Sequence, residues 1–114
     1  MKNLGFGMMR LPVLSGPTDF DYEHLNRMVD AFLDAGYTYF DTSFVYHDGK
    51  SEEATRKALV ERHPRDSFTI ATKFPTFMML PEDKIEETFQ SQLDNLGVDY
   101  IDYYLLHNIQ TVYY

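Results

Sequence analysis

From Asp21 to Ala35 the apolar positions Leu25, Met28, Val29, Phe32 and Leu33 recur at the i, i+3, i+4, i+7, i+8 spacing of a helix that buries one face. Gly36 stands where a C-terminal cap belongs. Tyr37-Thr38-Tyr39-Phe40, aromatic and β-branched, predicts a strand that stops at Asp41. Ser51 predicts an N-cap, Glu52 and Glu53 suit a first helical turn, and Pro64 blocks that helix beyond about Arg62. A strand over Phe68-Thr69-Ile70-Ala71-Thr72 ends at Lys73. Pro81 opens a third helix with Ile85, Phe89, Leu93 and Leu96 on one face and Gly97 at its close. Tyr100 to Leu106 is a strand ending at His107, and Leu4 to Leu11, interrupted by two glycines and followed by Pro12, is a further one.

Strands that alternate with helices of this length imply an α/β fold of parallel βα units joined by right-handed crossovers. The apolar runs are nearly continuous, as in strands covered on both faces or facing a barrel interior. Asp41, Lys73 and His107 recur 32 and 34 residues apart (73 − 41 and 107 − 73), the length of one βα unit. Parallel strands point their C-terminal ends to one edge of the sheet, where α/β proteins place their sites. Three polar residues of different chemistry therefore converge there.

Composition narrows the function. At 114 residues with 44% hydrophobic content, the chain makes a single unit, residues 1–114, with a packed core. A net charge of −8 supplies no basic surface for nucleic acid. No run approaches the roughly 18 apolar residues of a membrane span. The start, Met1-Lys2-Asn3-Leu4-Gly5-Phe6-Gly7, lacks the apolar block of a secretion signal, so a cytoplasmic location is expected. With no cysteine there is no thiolate or cluster ligand, and redox chemistry has to come from a cofactor.

Asp41, Tyr46, Lys73 and His107 suggest that chemistry. An ammonium beside a phenol favours the phenolate and makes Tyr46 a usable proton donor, while a carboxylate holds the lysine charged and oriented. A histidine can donate to the same substrate oxygen, so the pair would polarise a carbonyl and stabilise the developing alkoxide. The hydride would come from a reduced nicotinamide.

Asp41-Thr42-Ser43-Phe44-Val45-Tyr46 resembles the Asp-Thr-Ala-x-x-Tyr segment of the aldo-keto reductase family. Thr72-Lys73-Phe74-Pro75 resembles its Thr-Lys segment, and Leu105-Leu106-His107-Asn108 the histidine closing its fourth strand. Gly5-Phe6-Gly7-Met8-Met9-Arg10-Leu11-Pro12 resembles its opening strand, whose end approaches the nicotinamide; bacterial members with a ferredoxin-like tail look most similar. The resemblance implies Tyr46 as general acid, Lys73 as the residue tuning its acidity, Asp41 as the lysine's partner and His107 as the orienting donor. It implies NADPH contacts at Gly7, Met8, Met9, Asp41 and Asn108, no metal, and a small carbonyl substrate. Ser43 departs from the usual alanine, and Met8 stands where threonine is common.

The fold implied is the N-terminal half, about four strands, of a (β/α)8 barrel, a fold of roughly 250 or more residues. The segments that grip the rest of the cofactor belong to the second half in that family, so the chain is expected to be inactive alone. Self-association through open sheet edges, or pairing with a C-terminal half, would complete it. The alternative is a catalytically inactive half-barrel acting as a binding or assembly element, since the same fold also serves in potassium-channel regulatory subunits.

Taken singly the site residues have plainer explanations: Asp41 as a turn or cap residue, Lys73 as a solvated charge, His107 as a satisfied half-buried histidine and Tyr46 as packing. Their joint placement at strand ends favours chemistry. His47 reads as a surface loop residue, with substrate contact as the lesser alternative, His24 and His63 read as surface positions, and their dispersed spacing carries no metal signal. Glu82-Asp83 with Glu86-Glu87 reads as a solvated helix face. Met78-Met79-Leu80 sits in a loop that would overhang the site, and core packing is the preferred reading for it.

Overall fold

The computed structural model describes residues 3–110. Met1 and Lys2, with which the leader expectation begins, and residues 111–114 lie outside the described residues. Four strands, β1 (Gly5–Gly7), β2 (Tyr39–Asp41), β3 (Thr69–Phe74) and β4 (Tyr103–Leu106), form one sheet in chain order, each parallel to its neighbour. Helix α1 (Tyr22–Asp34) links β1 to β2. A single turn, α2 (Tyr46–Gly49), and α3 (Ser51–Thr55), which widens into a π-helical turn over Arg56–Val60, link β2 to β3. Helix α4 (Ile85–Leu96) leads to β4. The predicted alternation and the parallel sheet are both present.

Register decides which side chains meet. Gly7 pairs with Asp41, Asp41 with Ala71, and Lys73, two residues further on, with Leu105. His107 is two residues beyond Leu105, its N–H donating to the Phe74 carbonyl at 2.9 Å. Side chains alternate across a strand, so steps of two keep Gly7, Asp41 and Lys73 on one face and carry that line on to His107. Such a stagger is the shear of tilted strands in a barrel.

The opposite face builds the core. Phe40 and Ile70 are fully buried against Leu25 and Val29 of α1, Leu59 after α3 and Leu96 of α4. Phe6, Phe32 and Phe40 pack with ring centroids 5.1–5.4 Å apart. Fully burying such a side chain contributes about 1.5–3 kcal/mol. The Asp21 side chain caps α1 by accepting from the His24 N–H at 3.1 Å. Gly97 closes α4 in the left-handed region at φ 68°, with the Arg56 side chain where a Cβ would lie.

Several boundaries differ from those expected, each for a local reason. β1 covers only Gly5–Gly7, because the chain turns out of the sheet after the Met8 N–H bonds the Asp41 carbonyl. β4 begins at Tyr103 rather than Tyr100: the Asp102 carboxylate takes the Ile70 N–H at 2.8 Å, where a strand partner's carbonyl would sit, while pairing with Arg65 at 2.7 Å. β3 runs through Lys73 to Phe74. Ser51 is not an N-cap; its buried hydroxyl, already within α3, donates to the Met8 carbonyl at 2.7 Å and accepts from Thr42 at 2.9 Å. On α4 the buried positions are Thr88, Gln92 and Leu96, whereas Ile85 is exposed and Phe89 and Leu93 are half-buried.

The polar stripe on α4 has partners beneath it. Fully buried Glu52 accepts from Thr72 Oγ1 at 2.6 Å and Gln92 Nε2 at 2.9 Å on one oxygen, and from Asn95 Nδ2 at 3.2 Å on the other. Gln92 also donates to the Lys73 carbonyl at 3.0 Å and accepts from the Tyr104 hydroxyl. Burial pushes the Glu52 carboxyl above its ordinary range despite these donors, and burial, followed by the Glu52 charge, pushes the Tyr104 phenol up to about 12. The network ties α3, β3, α4 and β4 into one layer. Among the described residues each hydrogen-bond partner of Glu52 is a donor, so Glu52→Gln sets an amide N–H against donors and is expected to cost about 1–3 kcal/mol. A urea unfolding midpoint unchanged in that variant would show that the carboxylate does not organise the layer.

Candidate active site

β2 and β3 deliver Asp41 and Lys73 to neighbouring positions on the open face of the sheet, and the loop after β2 brings Tyr46 over them. Lys73 Nζ donates to Asp41 Oδ1 at 3.0 Å and Oδ2 at 2.9 Å, to the Thr42 carbonyl at 2.7 Å and to the Tyr46 hydroxyl at 3.2 Å. An ammonium has three hydrogens, so the two carboxylate oxygens share one. The phenol oxygen accepts from Lys73, which leaves the Tyr46 proton free to be given elsewhere. The lysine side chain is 15% exposed, and its position under the Tyr46 ring, 4.8 Å from the centroid, adds a cation–π contact.

His107 stands across the cleft, its ring edge-on to Tyr46 at 5.8 Å and to Phe77 at 5.3 Å. Its Nδ1 lies 2.9 Å from the hydroxyl of fully buried Ser43, and the Thr76 hydroxyl donates to its carbonyl. Burial first, and the Lys73 charge second, hold the His107 imidazole below the usual histidine range, against the opposing pull of Asp41. It is therefore a neutral group in a site whose positive charge belongs to Lys73.

Tyr46 and His107 open onto a cleft of about 490 Å³ lined also by Met9, Val45, His47, Asp48, Phe77 and Asn108, with Lys73 and Asp41 behind Tyr46. Tyr46, Lys73 and Asp41 are joined by direct hydrogen bonds, and His107 joins them through ring contact. Of the expected cofactor positions, Gly7 is exposed, with no atom within 4 Å of where a Cβ would sit, and Met9 is exposed at the cleft. Asn108 is exposed in the left-handed region at φ 56°, its amide oxygen engaged by Gln110. Met8 is fully buried in the core, and its carbonyl accepts from the Ser51 hydroxyl.

Other histidines also differ from expectation. His47 is no idle loop residue: Nε2 accepts from the Leu11 N–H at 2.9 Å while Nδ1–H donates to the Pro17 carbonyl at 2.7 Å, so it pins the loop after β1 to the loop after β2. His47 and its neighbour Asp48 both adopt positive φ, at 53° and 54°. His63 is half-buried against Asp30, which also pairs with Arg62, whereas His24 is exposed as expected. Met78 and Met79 are exposed instead of packed in the core, and the loop residue that lines the cleft is Phe77. Sequence reasoning missed Ser51, Thr76 and Phe77 as site builders. An aromatic residue two places after Pro75 was the available signal for Phe77.

The Aldo/keto reductase family model matches residues 3–114, and the chain belongs to that family. Aldo-keto reductase str7 from Strobilurus tenacellus is 33% identical over 96% of this chain and 34% of its own length. Aldo-keto reductase yakc [NADP(+)] from Schizosaccharomyces pombe is 32% identical over 91% of this chain and 33% of its own length. The crystal structure of an aldo-keto reductase from Klebsiella pneumoniae in complex with NADPH superposes with a TM-score of 0.74 and 26% identity, over 90% of this chain and 34% of that one. Its architecture is the (β/α)8 barrel, of which the four strands here form half. The chain thus spans about a third of the length of the curated relatives it matches. Among the described residues no helix is long and apolar enough to cross a membrane.

The depressed His107 value has a consequence for stability. A histidine held neutral stabilises the fold fully above its unfolded value of 6.5, and that contribution is lost as pH falls through the lower folded value. An NMR titration of His107 is expected to give a midpoint below 6.5. A midpoint at or above it would mean that burial and Lys73 do not govern the ring.

Proposed function

We propose that this chain supplies the proton-transfer site of an oxidoreductase that uses NADPH to reduce an aldehyde or ketone to an alcohol. The observation that carries this reading is the Lys73 ammonium, held by both oxygens of Asp41 while donating to the Tyr46 hydroxyl beside a neutral His107. Supporting it, the matched relatives are aldo-keto reductases, one with NADP(+) in its name and one solved with NADPH.

The residues at the cleft fit the nicotinamide end of such a cofactor. Gly7, opposite Asp41 in register, leaves open space where a side chain would stand, and Met9 and Asn108 flank the cleft. Bound reduced nicotinamide would supply the hydride. Tyr46 gives its proton to the substrate oxygen, and Lys73 stabilises the charge left on the phenol oxygen. Asp41 keeps Lys73 charged and aimed, and His107 donates a hydrogen bond to the same substrate oxygen, where negative charge develops. Phe77, Val45 and Met9 give the cleft apolar walls suited to a small carbonyl compound with an apolar body.

No lysine or arginine lines the cleft among the described residues, so gripping the cofactor phosphates falls to other parts of a closed barrel. The exposure of β4, with Tyr103 at 51% and Leu106 at 59%, favours activity in an assembly whose remaining strands cover this edge. In such a barrel Tyr46→Phe keeps the ring packing and removes the acid. Turnover is expected to fall by about 10²–10⁴-fold with NADPH affinity nearly unchanged. Near-normal turnover in steady-state assays would remove Tyr46 from the acid role and with it this mechanism.

A further inference from the structure

We propose that Ser43 is a positioning residue that fixes His107 in the tautomer carrying its hydrogen on Nε2, the ring nitrogen left for the cleft. The functional weight of this inference rests on the reductase reading, since an imidazole with hydrogen on Nε2 donates to a carbonyl oxygen. The other tautomer would present a lone pair and repel that oxygen.

The geometry selects the tautomer from the buried side. Ser43 is fully buried, and its hydroxyl oxygen accepts from the Val45 N–H at 3.4 Å. Its own hydrogen then needs an acceptor, because a buried donor without one is strongly disfavoured. Among the described residues, the remaining partner of that hydroxyl is His107 Nδ1 at 2.9 Å. A hydroxyl donating to Nδ1 requires Nδ1 to be unprotonated, and a neutral imidazole then carries its single hydrogen on Nε2. The ring cannot easily rotate out of this arrangement. Tyr46 and Phe77 pack edge-on against it, and the backbone of His107 is held through Phe74 and Thr76. Ser43 touches no reacting atom itself; it acts through the far edge of the imidazole.

His47 provides an internal contrast. Its Nε2 accepts from a backbone N–H and its Nδ1 faces a carbonyl, so it must carry its hydrogen on Nδ1. Two neutral histidines lining one cleft are thus held in opposite tautomers, His107 by the hydroxyl at its Nδ1 and His47 by the backbone groups at both ring nitrogens.

The test is a long-range ¹H–¹⁵N correlation spectrum of the histidine-labelled chain at mildly alkaline pH, with His107 assigned by its loss in His107→Gln. His107 is expected to show an unprotonated, hydrogen-bonded Nδ1 and a protonated Nε2, and His47 the reverse pattern. In Ser43→Ala the Nδ1 resonance of His107 is expected to move toward that of an imidazole without a hydrogen bond, while the His47 pattern persists and reports an intact fold. If the His47 pattern is lost as well, Ser43→Cys, which keeps the volume with a weaker donor, is read in the same way and is expected to give a smaller displacement. A protonated Nδ1 in the unaltered chain overturns the proposal, as does a His107 Nδ1 resonance unmoved in a folded Ser43 variant. Neither substrate nor cofactor is present, so failure here leaves the reductase reading standing. Conversely, an active Tyr46→Phe enzyme would sink that reading without touching this result.

Discussion

The site depends on one desolvated ammonium. Lys73 Nζ has two carboxylate oxygens, a carbonyl and a phenol oxygen around it, and these belong to β2, the turn after it and the loop that carries Tyr46. A charge withdrawn from water is tolerated only when it is paired and its hydrogens are matched. The cation therefore dictates where each of those groups must sit. Asp41 offsets the cost of burying Lys73, and the Thr42 carbonyl stops the strand from drifting away. Tyr46 occupies the one remaining acceptor position, so the group that fixes the phenol also leaves its proton unspent.

β3 carries polar anchors on both of its faces, which explains how that geometry is held. Lys73 points to the open face and Thr72, its neighbour, to the helix side, where Glu52 and Gln92 receive it. Gln92 closes the loop by donating to the Lys73 carbonyl. The backbone that positions Lys73 is thus clamped from behind by a satisfied buried network rather than by apolar packing, which has no directional preference. A matched set of donors around one carboxylate gives β3 a single position along its own axis, at the expense of burying Glu52.

Much of this was legible in the sequence, and the reasons for the rest are specific. The helix over α1 and the strands at Phe40 and Ile70 followed from periodicity, because apolar burial governs them. The convergence of Asp41, Lys73 and His107 followed from their spacing, because parallel βα units repeat. Boundaries failed where a side chain replaced a backbone partner, as Asp102 does for β4 and His47 does for the segment after β1. The face of α4 was misread because Thr88 and Gln92 count as polar in any periodicity, and nothing local reveals that Glu52, 40 residues earlier in the chain, lies opposite. Met8 and Met9 are adjacent and chemically identical, yet one is core and the other lines the cleft. Strand parity and the turn out of the sheet separate them, and neither is written in the residue type.

His47 and His107 differ in how much hydrogen-bonding capacity the protein itself uses up. Both rings line the cleft, both belong to loops that follow strands, and composition treats them alike. His47 uses its two ring nitrogens on Leu11 and Pro17, so nothing is left to offer a ligand, and its contribution is to hold two loops together. His107 uses one nitrogen on Ser43 and keeps the other. Tyr46 follows the same rule, with its oxygen engaged by Lys73 and its proton free, whereas Asp41 uses both oxygens on Lys73 and acts only through it. Counting hydrogen-bonding capacity already used within the protein therefore separates the groups that can address a substrate from those that orient them. On that count Tyr46, whose oxygen accepts from Lys73, and His107, whose Nδ1 is engaged by Ser43, are the two groups here that keep a hydrogen to offer.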